Sequence, residues 1–192
     1  MEKEFFGKVF IFTAPSGAGK TTIVKHLLKV NHALDFSVSA TSRSKRANEE
    51  EGKDYYFLTA DAFEQKIADG AFLEWEEVYP NQFYGTLHSE IERLWGLQKQ
   101  IIFDVDVKGA VDIKSHFDDR CLSIFIKPPS LQTLVDRLRK RGSETPASLK
   151  KRVARIRHEL TYEEKFDHVI VNDLLDVALK EAEYLVEEFL VS

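Results

Sequence analysis

Val9-Phe10-Ile11-Phe12-Thr13-Ala14-Pro15-Ser16-Gly17-Ala18-Gly19-Lys20-Thr21 is the stretch whose reading decides the fold. Its first part, with Lys8 (Lys8–Thr13, KVFIFT), is apolar and rich in β-formers, so it predicts a buried strand. The next eight residues follow the phosphate-loop pattern G-x-x-x-x-G-K-[ST] at every position except the first, which is Ala14. The context is the one the motif requires: a buried strand, a tight loop, then a helix from Gly19 to about Val30. Small residues let backbone N–H groups converge on phosphate oxygens, and the helix N-terminus adds positive potential. Residues Ala14 to Thr22 (with Pro15, Ser16, Gly17, Ala18, Gly19, Lys20 and Thr21 between) are therefore the candidate nucleoside triphosphate site. Lys20 is placed to reach the β- and γ-phosphates and the Thr21 hydroxyl to hold Mg²⁺. A methyl at Ala14 is harmless if φ there is negative.

Working outward, strands alternate with helices. Phe36–Thr41, Ile101–Val105, Leu122–Ile126 and Val169–Val171 read as strands. Leu131–Arg141, Ala147–Glu164 and Asp173–Leu190 carry helical periodicity. Gly142 suits a helix C-terminus, and Thr145-Pro146 reads as an N-cap followed by a first helical position. The alternation predicts an α/β fold: a mostly parallel sheet flanked by helices. The aromatic-rich segment Lys53–Thr86, with one helix near Asp61–Asp69, reads as an inserted α+β lobe. The Asp104-Val105-Asp106 end of the IIFDVD strand is a candidate acidic metal site, or else a strand-to-helix turn with a capping Asp.

Composition narrows the classes. The chain has 192 residues, 43% hydrophobic and 31% charged, and fits one domain with insertions. Its net charge of −5 is unlike a protein built to grip nucleic acid. Residues Arg137 to Arg157 hold nine basic residues against the single acid Glu144, leaving the remainder at −13. That run is either a solvated helix face or a local anion site. The single Cys121 forms no internal disulfide and reads as an inert apolar residue. No run reaches the ~18 apolar residues of a membrane span, and no signal peptide is read at the N-terminus. A cytoplasmic location is expected, with no membrane or nucleic-acid partner.

Thr41-Ser42-Arg43, an Arg three later (Arg46), an acid three later (Glu49), then Gly52, Tyr55 and Phe57 resemble the guanylate kinase signature. The resemblance runs over nearly the whole chain. It implies a P-loop core (about 1–35, 97–130 and 165–192), a GMP-binding lobe (about 36–96) and an Arg-bearing lid (about 131–164). It implies Mg²⁺-dependent transfer of the ATP γ-phosphoryl group to GMP by a cytoplasmic monomer or homodimer. By motif position, the GMP phosphate should meet Arg43, Arg46, Tyr55 and Tyr84. The guanine should meet Ser39, Glu74, Thr86 and Asp106. Arg137, Arg141 and Arg152 should act with Lys20 and Arg43 in catalysis, Asn172 should lie near the adenine, and Thr21 and Asp104 near the metal. A non-catalytic phosphopeptide-binding module of the same fold is the alternative, but it needs none of the ATP-side residues.

Overall fold

The structure is a computed structural model that describes residues 5–140 and 146–192. In chain order come β1 (Val9–Thr13), α1 (Lys20–Val30), β2 (Leu34–Phe36), β3 (Ala40–Thr41) and β4 (Tyr56–Phe57). Next are α2 (Ala60–Ala68), β5 (Phe72–Tyr79), β6 (Gln82–Leu87), α3 (His88–Gly96), β7 (Gln100–Asp104) and α4 (Val107–Phe117). The last are β8 (Cys121–Lys127), α5 (Leu131–Lys140), α6 (Pro146–Leu160), β9 (His168–Val171) and α7 (Leu175–Val191).

One sheet has the order β2-β7-β1-β8-β9, and every pairing in it is parallel. All five β1 residues are buried. Strand alternation explains why: Phe10 and Phe12 face one layer, Val9 and Ile11 the other. The first layer packs Ile102, Ile124 and Ile126 against Ile23 and Leu27 of α1 and Ala178 and Val186 of α7. The second packs Ile101, Phe103 and Phe125 against Ile91 and Leu94 of α3 and Ala110 and Ile113 of α4. Leu134, Leu138 and Ile156 bury the apolar stripes of α5 and α6 in the first layer. Among the described residues of the basic run, Arg139, Lys151, Arg152, Arg155 and Arg157 are exposed and Arg137 is half-buried.

A second sheet, β4-β3-β6-β5, sits between β2 and β7 in sequence. Its own small core is Phe63 stacked between Phe72 (4.3 Å) and Phe83 (5.4 Å), closed by Ala40 and Leu87. Burying each of these rings contributes about 1.5–3 kcal/mol.

The predicted strand Phe36–Thr41 is divided. Phe36 ends β2 in the large sheet, and Ala40 begins β3 in the small one. Alternation continues through both pieces, but the hydrogen-bonding partner changes. Ser37 N–H still donates to Ile102, whereas Val38 N–H donates to the buried Glu90 carboxylate (2.9 Å). Glu90 also accepts from Tyr56 Oη and from both sides of the Arg93 fork. Burial pushes the Glu90 carboxyl up, but those hydrogen bonds outweigh it and hold it below its ordinary range. The crossover is thus pinned by one satisfied buried charge. The helices α3 and α4 were not singled out by the periodicity. Gly142 and Thr145 lie outside the described residues.

Candidate active site

The site lies at the carboxyl end of β1, where the parallel sheet opens a crevice. Gly17 (φ 93°) and Gly19 (φ 103°) are both left-handed, a conformation glycine takes at little cost. Ala14 is not left-handed, so its methyl causes no conflict. No side chain caps α1 at Gly19, which leaves first-turn N–H groups for an anion. Lys20 forms an ion pair with Asp104 and donates to the Val105 carbonyl (3.2 Å). Two partners from the end of β7 therefore aim the ammonium across the loop.

A cleft of about 660 Å³ runs from this loop toward the small sheet. Lys20, Thr21, Ser39, Tyr55, Tyr84 and Asp106 all line it, as does Glu74. Glu74, on β5, accepts a hydrogen bond from the Thr86 hydroxyl of β6 (2.7 Å), because the two residues are paired across the antiparallel ladder. Burial pushes the Glu74 carboxyl up to about 7; the Thr86 bond opposes this, and the charges of Asp106 and Asp112 add to it. Asp106 does cap a helix: its Oδ1 accepts from the N–H groups of Lys108 and Gly109 at the start of α4. Its Oδ2 faces Arg155 at 3.8 Å.

At the far end, Tyr55 and Tyr84 form an edge-on pair with centroids 5.9 Å apart. Arg43 stands behind them, only 12% exposed, 4.9 Å from the Tyr55 ring and donating from Nε to Tyr84 Oη (3.1 Å). Arg46 is nearby on the loop and exposed, and its backbone N–H donates to Glu49.

The lid-side residues are placed as follows. Arg152 Nη1 donates to Ser16 Oγ of the phosphate loop (3.3 Å). Arg137 Nη2 donates to the Asn172 carbonyl (3.1 Å). Asn172 is buried, and its amide donates to the Ala18 carbonyl (2.7 Å), so it braces the loop from behind. Asn172, Arg137, Gly19 and Thr22 also border a second cavity of about 380 Å³. Arg141 lies outside the described residues. Cys121 is buried with its thiol pushed up to about 12, as befits an apolar residue.

Two neighbours of the site, Arg155 and Glu159, were not singled out by sequence reasoning, and Glu49 was read only as a motif acid. Arg155 donates from Nε to Glu159 (2.7 Å), an i,i+4 pair readable from helical spacing. The Arg43–Glu49 pair spans a loop and has no such spacing.

A parallel five-stranded sheet with a phosphate loop at its central strand, an acidic strand end and a cleft reaching from that loop to the small lobe defines a P-loop kinase of small phosphorylated molecules. The family model described as guanylate kinase matches residues 6–189. The guanylate kinase of Bacteroides fragilis is 47% identical over 183 residues, covering 95% of this chain and 90% of that one. That of Chlorobium chlorochromatii is 44% identical over 190 residues, covering 99% and 100%. The crystal structure of guanylate kinase from Anaplasma phagocytophilum superposes with a TM-score of 0.76 at 26% identity, covering 99% of this chain and 89% of that one. The chain belongs to the guanylate kinase family and is a nucleoside monophosphate kinase.

Proposed function

We propose that the chain transfers the γ-phosphoryl group of ATP to GMP, and to dGMP, giving ADP and GDP. The observation that carries this is one continuous cleft with Lys20 and the phosphate loop at one end and Glu74, held by the buried Thr86 hydroxyl, lining it from the lobe. Guanine presents two adjacent donors, N1–H and the 2-amino group, and one carboxylate accepts both. Adenine has no N1 proton and no 2-amino group, so it would leave Glu74 desolvated and unpaired. The Ser39 hydroxyl serves the guanine O6, Thr86 holds the Glu74 carboxylate in place, and Asp106 serves the base edge. Tyr55, Tyr84, Arg43 and Arg46 hold the acceptor phosphate.

Phosphoryl transfer needs alignment, and positive charge where the equatorial oxygens gather negative charge. Lys20, Arg137, Arg141 and Arg152 supply that charge. The attacking group is already a phosphate oxyanion, so no general base is assigned. Thr21 and Asp104 offer the hydroxyl and carboxylate oxygens that Mg²⁺ prefers, and both line the cleft. When bound there, Mg²⁺ neutralises charge on the nucleotide phosphates. Asn172 braces the loop and borders the second cavity, which takes the adenine. Lobe (about 36–96) and lid (about 131–164) close over the core to exclude water.

Among the described residues, no helix is long and apolar enough to cross a membrane. We place the protein in the cytoplasm, as a monomer or homodimer. The test is ADP release with ATP, Mg²⁺ and each of GMP, dGMP, AMP, CMP, UMP and dTMP. Turnover on the guanine nucleotides with little on the rest is expected. GMP binding without turnover on any acceptor would make the domain a binding module.

A further inference from the structure

Arg43 has five N–H donors, and the structure shows where four of them go. Nη1 donates to Glu49 Oε2 (2.7 Å) and to the Ser44 carbonyl (3.0 Å). Nη2 donates to Glu49 Oε1 (2.6 Å), and Nε donates to Tyr84 Oη (3.1 Å). Glu49 therefore takes the whole outer end of the guanidinium. A planar guanidinium has only one other paired edge, Nε with Nη2, and that edge faces Tyr84. The remaining Nη2–H lies alongside the Nε–H and points the same way.

Tyr84 accepts from Arg43 and so keeps its own O–H to donate into the cleft it lines. An N–H donor on the phenol oxygen polarises that O–H and makes it the stronger donor. Glu49 holds the neighbouring residue too, since its Oε2 also accepts from the Arg46 backbone N–H (2.8 Å). One carboxylate thus holds the Arg43 side chain and the Arg46 backbone and, through Arg43, a tyrosine.

We propose that Glu49 is a positioning residue for recognition of the acceptor's phosphate: it turns the Nε/Nη2 edge of Arg43 and the Tyr84 hydroxyl toward the phosphate. The proposal rests on the GMP-kinase reading above. It has a rival built from the same contacts. A carboxylate beside an anion site opposes the anion by charge, and one that occupies an arginine fork could compete with phosphate for it. The geometry favours positioning, because the fork end held by Glu49 is not the edge that meets Tyr84.

The two readings predict opposite signs. In Glu49→Gln, steady-state kinetics with GMP and ATP varied in turn should show KM for GMP raised about tenfold, with KM for ATP within twofold of the wild type. In an Arg43→Gln background the same change should have no further effect on KM for GMP. Glu49→Asp, which keeps the charge but shortens the reach, should fall between the two. A KM for GMP that stays the same or falls would overturn the proposal in favour of a spectator or a competitor. Equal rises in both KM values, a full added effect in the Arg43→Gln background, or loss of the folded state in all three variants would overturn it in favour of a purely architectural role. Wild-type protein that shows no preference for GMP breaks the underlying function reading instead, before any variant is compared.

Discussion

In the function proposed above, the phosphate loop and the acceptor lobe bind the same chemical group by different means. The loop uses backbone: two left-handed glycines, an uncapped helix start and one lysine aimed by Asp104 and Val105. In the proposed reading the lobe uses side chains: Arg43, Tyr55 and Tyr84 for phosphate, Glu74 and Thr86 for base. The foundations differ as well. The loop hangs on a strand buried in two packed layers, whereas the lobe has one small aromatic core. Backbone recognition is indifferent to what carries the phosphate. Side-chain recognition is where one nucleotide is told from another.

Substitutions on the two sides should therefore fail differently. Lys20→Ala should lower kcat about 10³-fold while GMP still binds, measured by turnover and by GMP titration calorimetry. Turnover retained within a few-fold would move the donor site elsewhere. Glu74→Gln should lower kcat/KM for GMP about 10²-fold and leave KM for ATP nearly unchanged. Unaltered GMP kinetics would remove Glu74 from the base site.

The same carboxylate makes the lobe respond to pH. Its ordinary value of 4.5 is raised to about 7 by burial, so the folded ligand-free protein holds an extra proton between those limits. Stability from this group is thus lost as pH rises from about 4.5 to 7. The ionised form that the proposed function needs to accept guanine's donors is lost as pH falls below about 7. kcat/KM for GMP should drop about tenfold per pH unit below that point in the wild type, and Glu74→Gln should flatten this limb. An identical limb in both proteins would assign the titration to another group.

Arg137→Ala should lower kcat about tenfold and raise KM for GMP less, since its charge matters most in the transition state. The reverse pattern would make it a ground-state binder. The smallest change is expected of Thr86→Val, a few-fold in kcat/KM for GMP. It removes the 2.7 Å bond that opposes the Glu74 shift, so the acid limb should move to higher pH.

The contrast also explains what was legible in the sequence. Loops that work through backbone need small residues at fixed offsets, so Ala14 to Thr21 disclosed both strand and helix. Side chains that meet across a sheet leave no such offset. Glu74 and Thr86 are twelve apart on facing strands, and only the family resemblance picked them out among Glu76 and Glu77. Glu49 was visible as a motif acid, but its grip on Arg43 was not. Phe36–Thr41 read as one strand because alternation survives a change of partner, and the switch depends on Glu90 far along the chain. Asn172 was assigned to the adenine side, and nothing in its surroundings by sequence shows that its amide braces Ala18.

The order of strands in the large sheet bears on how the protein is made. Phe12 pairs with Asp104 and Thr13 with Phe125, so the innermost strand leaves the ribosome first and waits longest for its neighbours. At about 5–20 residues per second, roughly 90 to 110 further residues mean a delay on the order of 5–20 s. During that time Val9 to Thr13 is an unpaired apolar ribbon. The small lobe, whose paired strands all fall between residues 40 and 87, is complete earlier. A nascent chain would therefore complete the strand pairings of its small lobe before those of the strand that carries the phosphate loop.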